Sequence, residues 1–461
     1  MQNHNVISEV VSKDLCIGCG VCAGVCPPKN LAMGWNEFGE YNPQEKGTCL
    51  EKCSLCLEVC PFAKGNYNED VLGEKLFGSM PGIKHTGEIG YYLSSLAGFS
   101  RNREIGASGG MASSLLEELL NKGLIDKVVS LAPTGDSEAL FKFRVIDNPE
   151  GVRQTAGSAY YPAHLSDVIG YIKENPGIYA VTALPCFAKG LRLAAGKQPL
   201  LKQRIRFVLG LVCGQLKSSF YTRYIASLAG VDGPLKHCFY RKKDPDQPAN
   251  NFTFTCEGVS GKTGSIRWNE GVAQVWTSRW FTPLACNFCD DVFAEVADAT
   301  FMDAWLPRYA KDPKGTSLVL VRNPELISLL EETIGEGASL EPIPVEDIIR
   351  SQAGVVAIKR KHLAYRLHKA MAQKKELPKK RVEPSGLIFA PFQRKEIDIL
   401  DRMQNASRNS VLEVDGGSIF CGDIPGRLEQ GILSLREVSQ RMNLVKLPLR
   451  LARKIFRLIR G

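Results

Sequence analysis

The sequence predicts an α/β chain with a small cysteine-rich α+β segment at its N-terminus and a basic helical extension at its C-terminus. Three observations carry that reading. Eight of the 15 cysteines fall between Cys16 and Cys60. Past residue 90, short apolar runs of strand character alternate with amphipathic helical stretches, the pattern of α/β domains. From Arg436 to Arg460, eight Lys/Arg accompany a single acidic residue, Glu437, so most of the net charge of +9 sits in the tail. The near-neutral remainder argues against a general nucleic-acid binder.

The first segment, residues 1–70, contains two cysteine runs. Cys16, Cys19, Cys22 and Cys26 are followed by Pro27, the Cys-x2-Cys-x2-Cys-x3-Cys-Pro spacing of bacterial ferredoxins. Cys49, Cys53, Cys56 and Cys60 are again followed by proline, with one extra residue after the first cysteine. Three thiolates two residues apart wrap a loop around one face of a [4Fe-4S] cubane, and the fourth reaches the other cluster. Cys16, Cys19 and Cys22 are therefore expected to share a cluster with Cys60, and Cys49, Cys53 and Cys56 with Cys26. A zinc module is the alternative, but zinc takes four ligands from paired knuckles and fits two such runs poorly. Leu31–Met33 and Gly39–Pro43 are expected to form the hairpin between the runs.

The α/β part is expected over 85–170 and 171–375. Its strand-like runs are Lys127–Leu131, Gly177–Leu184, Arg206–Val212 and Leu318–Val321. Ala107–Asn121 reads as a helix entered through Ser-Gly-Gly, with Leu115, Leu116, Leu119 and Leu120 on one face. The polar stretch from about Gly230 to Gly271 is expected to be an antiparallel insertion or a mobile loop. Lys374–Arg381 reads as a charged linker, opening a C-terminal part over 376–461. The N-terminus, Met1–Val10, lacks a signal-peptide core, and no apolar run approaches the roughly 20 residues of a membrane span. Fifteen cysteines without an export signal read as metal ligands in a cytoplasmic protein.

Seven motifs stand in order beyond residue 90: Ala107-Ser-Gly-Gly110, Gly157-Ser-Ala-Tyr160, Leu184-Pro-Cys186, Gly210-Leu-Val-Cys213-Gly, Cys286-Asn-Phe-Cys289-Asp-Asp, Ala297-Asp298 and Gly315-Thr-Ser. In these the chain resembles the family of coenzyme F420 hydrogenase/dehydrogenase beta subunits, which are flavoproteins that move electrons between a hydride carrier and iron–sulfur clusters. The resemblance spans roughly residues 15–350. It departs at Met302-Asp303, where the family usually has Gly-Asp.

The resemblance implies bound FAD. Independently, a hydride carrier delivers two electrons and a cluster takes one, so some group must convert between them. Ser108, Gly109 and Gly110, ahead of a helix, can present N–H groups to a pyrophosphate; a plain helix-entry turn is the alternative. Ser158 and Tyr160 are candidate flavin or substrate contacts, with an ordinary buried aromatic as the other reading of Tyr160. Lys189 and Arg192 are either counter-charges for an anionic group or a solvated helix face. Cys286 and Cys289, with Cys186 and Cys213 after strand-like runs, form a candidate third [4Fe-4S] site at the carboxyl ends of strands. Cys238, Cys256 and Cys421 have no partner at useful spacing and read as structural.

Two functions follow. One is an FAD-dependent iron–sulfur oxidoreductase working with a hydride carrier, F420 or NAD(P)H, and a redox partner or substrate. The other is a non-catalytic electron-transfer component of a larger redox complex. Oligomers are compatible with both. Beyond Pro448, Leu449, Ala452, Ile455, Phe456 and Ile459 keep helical spacing, with five Lys/Arg mostly off the stripe. Such a helix packs on its own domain, lies on an anionic inner-membrane face or enters a partner's acidic groove. If it meets the membrane, a chain ending at Leu447 loses co-sedimentation with anionic liposomes that the full chain shows; equal sedimentation of both would contradict that.

Overall fold

The computed structural model describes residues 4–334, 337–386, 391–413, 426, 428–438 and 440–441. The basic stretch beyond Pro448 and Cys421 lie outside the described residues.

In the N-terminal segment each cysteine run leads into a short helix, Val21–Val25 and Leu55–Glu58. Between them β1 (Leu31–Trp35) and β2 (Tyr41–Glu45) pair antiparallel from Leu31 with Glu45 to Trp35 with Tyr41, as the sequence leads one to expect. The Trp35 and Tyr41 rings stack at 3.8 Å beside the turn that closes the hairpin. The segment has no core of its own. Val21, Val25 and Val59 share one apolar core with Leu165, Ile169, Ala188 and Leu191 of the following part.

A small hairpin, β3 (Lys84–Thr86) and β4 (Gly90–Tyr92), leads into an eight-stranded sheet. Its members are β5 (Ser94–Phe99), β6 (Lys127–Pro133), β7 (Phe141–Ile146), β8 (Tyr179–Ala183), β9 (Ile205–Leu211), β13 (Ala299–Asp303), β14 (Ser317–Val321) and β15 (Ser339–Pro342), in the order β15-β5-β14-β13-β9-β8-β6-β7. The four middle strands, β13-β9-β8-β6, are parallel and the flanking pairs antiparallel. Tyr179-Ala-Val-Thr-Ala and Ser317-Leu-Val-Leu-Val are buried at every position, which is why they read as unbroken apolar runs. The crossover from β8 to β9 is made by helices Pro185–Lys197 and Pro199–Arg204, each started by a proline whose missing N–H costs nothing there.

The polar stretch around 230–271 is an antiparallel sheet of β10 (Leu235–Lys242), β11 (Thr253–Gly258) and β12 (Thr263–Arg267). Strand β11 alternates, with Phe254 and Cys256 buried, as one covered face requires. Cys238 and Cys256, isolated in sequence, are direct partners across β10 and β11.

The charged stretch 374–381 connects two helices without helix or strand of its own, and its end is packed into the body. Lys380 lies buried 3.2 Å from Asp290, and Arg381 grips Glu295 and Asp290 beneath the surface. Helix Pro391–Asn409 then folds back onto the body, where Gln404 bonds Asn287 at 2.8 Å and the Thr282 carbonyl at 2.9 Å.

Arg322, at the end of β14, is fully buried and meets no carboxylate at ion-pair distance among the described residues. Its guanidinium donates instead to the carbonyls of Tyr91, Ala297, Ile89 and Phe293 and to Thr300 Oγ1, tying the β4 hairpin to the β13 turn. Arg322→Met leaves these acceptors dry and unpaired, and is expected to cost about 3 kcal/mol. Thermal unfolding of the anaerobic variant checks this; a melting temperature equal to the parent's would contradict it.

Candidate functional site

The carboxyl ends of the parallel strands open into a cavity of about 1020 Å³, reached by Pro133, Ala183, Leu211 and Asp303. That is where open α/β sheets place their ligands, and the volume suits a dinucleotide-sized molecule. Helix Met111–Asn121 starts at its wall. Gly110, at φ 75°, is the left-handed residue that turns the chain into the helix, and no acid stands in the first turn. Ser108, Gly110 and Met111 all line the cavity. Ser108 Oγ donates to the Thr316 carbonyl at 2.8 Å, while the Lys243 ammonium donates to the carbonyls of Ser108, at 2.8 Å, and Arg103. The entry loop is thus tied to β14 and to the inserted sheet. Burial lowers the Lys243 ammonium to about 8.

The opposite wall is aromatic. Tyr160 lies 5.3 Å from Tyr240 and 4.7 Å from Trp276, between ring centres. Burial raises its phenol, so it remains a donor at neutral pH. Arg241 pairs with Asp303 at 2.6 Å, and Ser158 stands beside Tyr160 in the lining. The chamber can therefore hold a flat aromatic group against Tyr160 and Trp276 while a helix start and Lys243 face an anion.

Three of the candidate flavin contacts are not in the cavity lining. Gly109 does not line the cavity: a Cβ there would lie 2.5 Å from Ser317 N and 2.6 Å from the Gly98 carbonyl, so its missing side chain serves backbone packing against β5 and β14. Lys189 is buried 3.2 Å from Glu69, and Arg192 donates to Asp298 at 2.8 Å and to the Val296 carbonyl. Both are occupied in internal ion pairs and neither reaches the cavity, which excludes the solvated-face reading as well.

The structure brings the eight cysteines of the N-terminal runs near one another, with Cys56 neighbouring both expected sets, and gathers the dispersed four as a third. Cys22 has Cys19, Cys16, Cys60 and Cys56 as charge neighbours, and Cys49 has Cys53 and Cys26. Cys186, Cys213, Cys286 and Cys289 converge from three stretches of chain. Burial is the largest influence on the thiols it shifts: it pushes Cys19 up to about 12, Cys60 to about 11 and Cys213 to about 12. Backbone N–H groups already point at sulfur, from Gly18 to Cys16 at 3.4 Å and from Leu216 to Cys286 at 3.3 Å. Among the described residues no three Cys, His, Asp or Glu side chains draw in tightly enough for a single metal ion. The fit of a cluster rests on the donors: thiols brought together, amide hydrogens on the sulfurs of Cys16 and Cys286, and buried positive charge beside the dispersed four.

That positive charge was not read from the sequence. Lys359, Arg279 and Lys217 are all buried around the third set, and none pairs with a carboxylate among the described residues. Arg279 bonds Asn287 at 2.9 Å but leaves its Nε without a partner. Lys359 carried a signal: it precedes Leu363, Leu367 and Ala370 on the buried stripe of its helix.

The family comparisons agree with the geometry. The models for the coenzyme F420 hydrogenase/dehydrogenase beta subunit match at residues 95–170 for its N-terminal part and 178–345 for its C-terminal part, together more than half of the chain. The chain belongs to this family. A 4Fe-4S binding domain matches at residues 9–29, so the N-terminal segment of this family member is an iron–sulfur domain. Curated relatives include one of the subunits of the F420H2 dehydrogenase of Methanosarcina mazei, 26% identical over 45% of this chain and 55% of the relative. The coenzyme F420-dependent sulfite reductase of Methanocaldococcus jannaschii is 24% identical over 73% of this chain and 49% of the relative. The chain thus spans about half the length of these relatives. A ferredoxin of the same organism is 34% identical over 12% of this chain and 70% of the relative. Among solved structures, a chain from the F420-reducing [NiFe] hydrogenase complex of Methanosarcina barkeri has a TM-score of 0.47 and 19% identity, covering 64% of this chain and 98% of that one.

Because Gly109 faces backbone, Gly109→Ala is expected to lower stability by about 1–3 kcal/mol. The loss should appear in thermal unfolding equally before and after removal of any bound nucleotide. Unchanged unfolding would show that β5 and β14 are not held as closely as described.

Proposed function

We propose that this family member is an FAD-dependent iron–sulfur oxidoreductase that exchanges electrons between a hydride carrier docked in the cavity and three [4Fe-4S] clusters. The carrying observation is that one chamber is walled by both Cys16 of the first set and Cys213 of the third. A redox group held there lies against two cluster sites at once.

FAD bound in the chamber supplies the conversion between two-electron and one-electron transfer. The chain's residues bind and orient it. The Gly110 turn and the start of helix Met111–Asn121 receive the pyrophosphate, and Lys243 supplies a cation beside that loop. Tyr160 and Trp276 give the ring system a flat wall, and Ser158 and Tyr160 offer hydroxyl donors. The aromatic lining also keeps water from the reacting face. The cluster ligands are Cys16, Cys19, Cys22 and Cys60; Cys49, Cys53, Cys56 and Cys26; and Cys186, Cys213, Cys286 and Cys289. Thiols held protonated by burial must release protons as they take up iron.

The second set is the exit. Cys26, Cys49 and Cys53 are half-buried and Leu50 beside them is 52% exposed, so a redox partner can approach that cluster directly. This feature also supports a second reading, an electron-wiring component inside a larger complex, as does a relative named as one of several subunits. No helix among the described residues is long and apolar enough to cross a membrane; a peripheral contact falls to the C-terminal stretch.

Anaerobically purified protein is expected to hold roughly 12 iron atoms with equal acid-labile sulfide, and Cys286→Ser should lose about four of them. Heat-released supernatant should contain FAD by chromatography. Zinc without sulfide, or no flavin, would overturn the assignment. Dye reduction by the isolated chain with reduced F420, NADH or NADPH separates enzyme from wiring component; with none of the three, the wiring reading stands.

A further inference from the structure

We propose that Lys359 is a positioning residue of the third cysteine set: a fixed buried charge that makes the cluster there easier to reduce. This rests on the three-cluster reading above and goes beyond it, because it assigns the setting of a potential to a side chain that ligates nothing.

The placement begins with a helix that runs from Ala353 to Ala372 with a π turn, Ile358–His362, in its middle. Such turns insert a residue into a helix and re-aim the side chains around it, and they are common at functional sites. This one is pinned on both sides. Val355 sits against Gly214, Arg360 bonds Glu295 at 3.2 Å, and the following helix Leu363–Ala372 packs on the Leu284–Phe288 turn that carries Cys286. Lys359 is held between these contacts, 2% exposed, at a stripe position where its helix otherwise places Leu363, Leu367 and Ala370.

A buried ammonium needs an anion or a dense set of acceptors. Among the described residues Lys359 has no carboxylate within ion-pair distance, and the titratable groups it faces are Cys289, Cys213 and Cys286. In the protein alone, a set of neutral thiols is a poor partner for a buried cation. Four thiolates on a cubane are a good one, because together they carry net negative charge. Each electron added makes that charge more negative, so a fixed cation buried beside it stabilises the reduced form more than the oxidised one. Net charge and hydrogen bonds to sulfur are the levers by which proteins set such potentials. Arg279 and Lys217 approach the same set at Cys286, but Arg279 is engaged with Asn287, and Lys217 with the Trp280 carbonyl at 2.7 Å and Thr282. Of the three, Lys359 alone has no amide, hydroxyl or carbonyl oxygen as hydrogen-bond partner among the described residues.

The test is a potentiometric titration of the holoprotein followed by EPR, with iron counted in the same samples. In Lys359→Gln, the reduction constant of one cluster should fall at least tenfold, about 59 mV for a one-electron couple, while the other two stay put. Lys359→Arg should restore it. A glutamine variant with full iron and three unchanged midpoints overturns the inference. If glutamine costs the cluster itself, arginine decides: iron and midpoint kept by arginine support the charge, and an arginine variant that also loses iron overturns it. Failure of the underlying reading is separate, since it appears as unchanged iron in Cys286→Ser.

Discussion

Gathering thiolates inside protein is the constraint on which the rest of this structure depends. Taken out of water, a thiol resists ionisation, and a neighbour about to ionise makes it worse; Cys19, Cys60 and Cys213 all stand well above their ordinary range for the first of these reasons. Metal uptake must therefore be matched by something that favours negative charge. The chain supplies it with backbone N–H groups aimed at Cys16 and Cys286, and with Lys359 and Arg279 around the third set. Cations left without carboxylates would be a serious defect in an ordinary core. Here their positions become intelligible once the cysteines are ligands.

The same logic explains how the parts are joined. The iron–sulfur segment shares its core with the α/β body, and a buried cross-link of charge runs from Glu69 through Lys189 toward Asp290, Lys380, Arg381 and Glu295. The segment is thus fastened beside the chamber instead of tethered to it. Electron transfer falls steeply with distance, so rigid placement of Cys16 in the chamber wall matters more than any single contact. The sheet contributes the other fixed edge, since Cys213 follows directly from β9 and Cys186 sits in the first turn of the helix after β8.

Much of this was legible in the sequence, and the failures have physical causes. The first two cysteine sets are local in sequence, so spacing alone displays them. Strands β8 and β14 announce themselves because they are buried at every position, and β9 because only Arg206 and Leu211 near its ends are exposed. The Ser108-Gly109-Gly110 turn was readable as a helix entry, but which glycine faces the chamber depends on β5 and β14, which lie far apart in sequence. Lys189 and Arg192 looked like free charges because their partners, Glu69 and Asp298, stand more than a hundred residues distant. Lys380 and Arg381 read only as part of a charged linker for the same reason. Cys238 and Cys256 became partners only through the register of β10 and β11. Composition records a charge; only topology tells what neutralises it.

The central claim is that one chamber couples a two-electron group to clusters that take one electron each. Stoichiometric anaerobic titration with dithionite, followed by absorbance and EPR on the full chain, tests it most directly. Roughly five electrons per chain are expected, two into the flavin and one into each of three [4Fe-4S] clusters. An uptake of three or fewer, with no flavin bleaching, would contradict the coupling of the two chemistries in this protein.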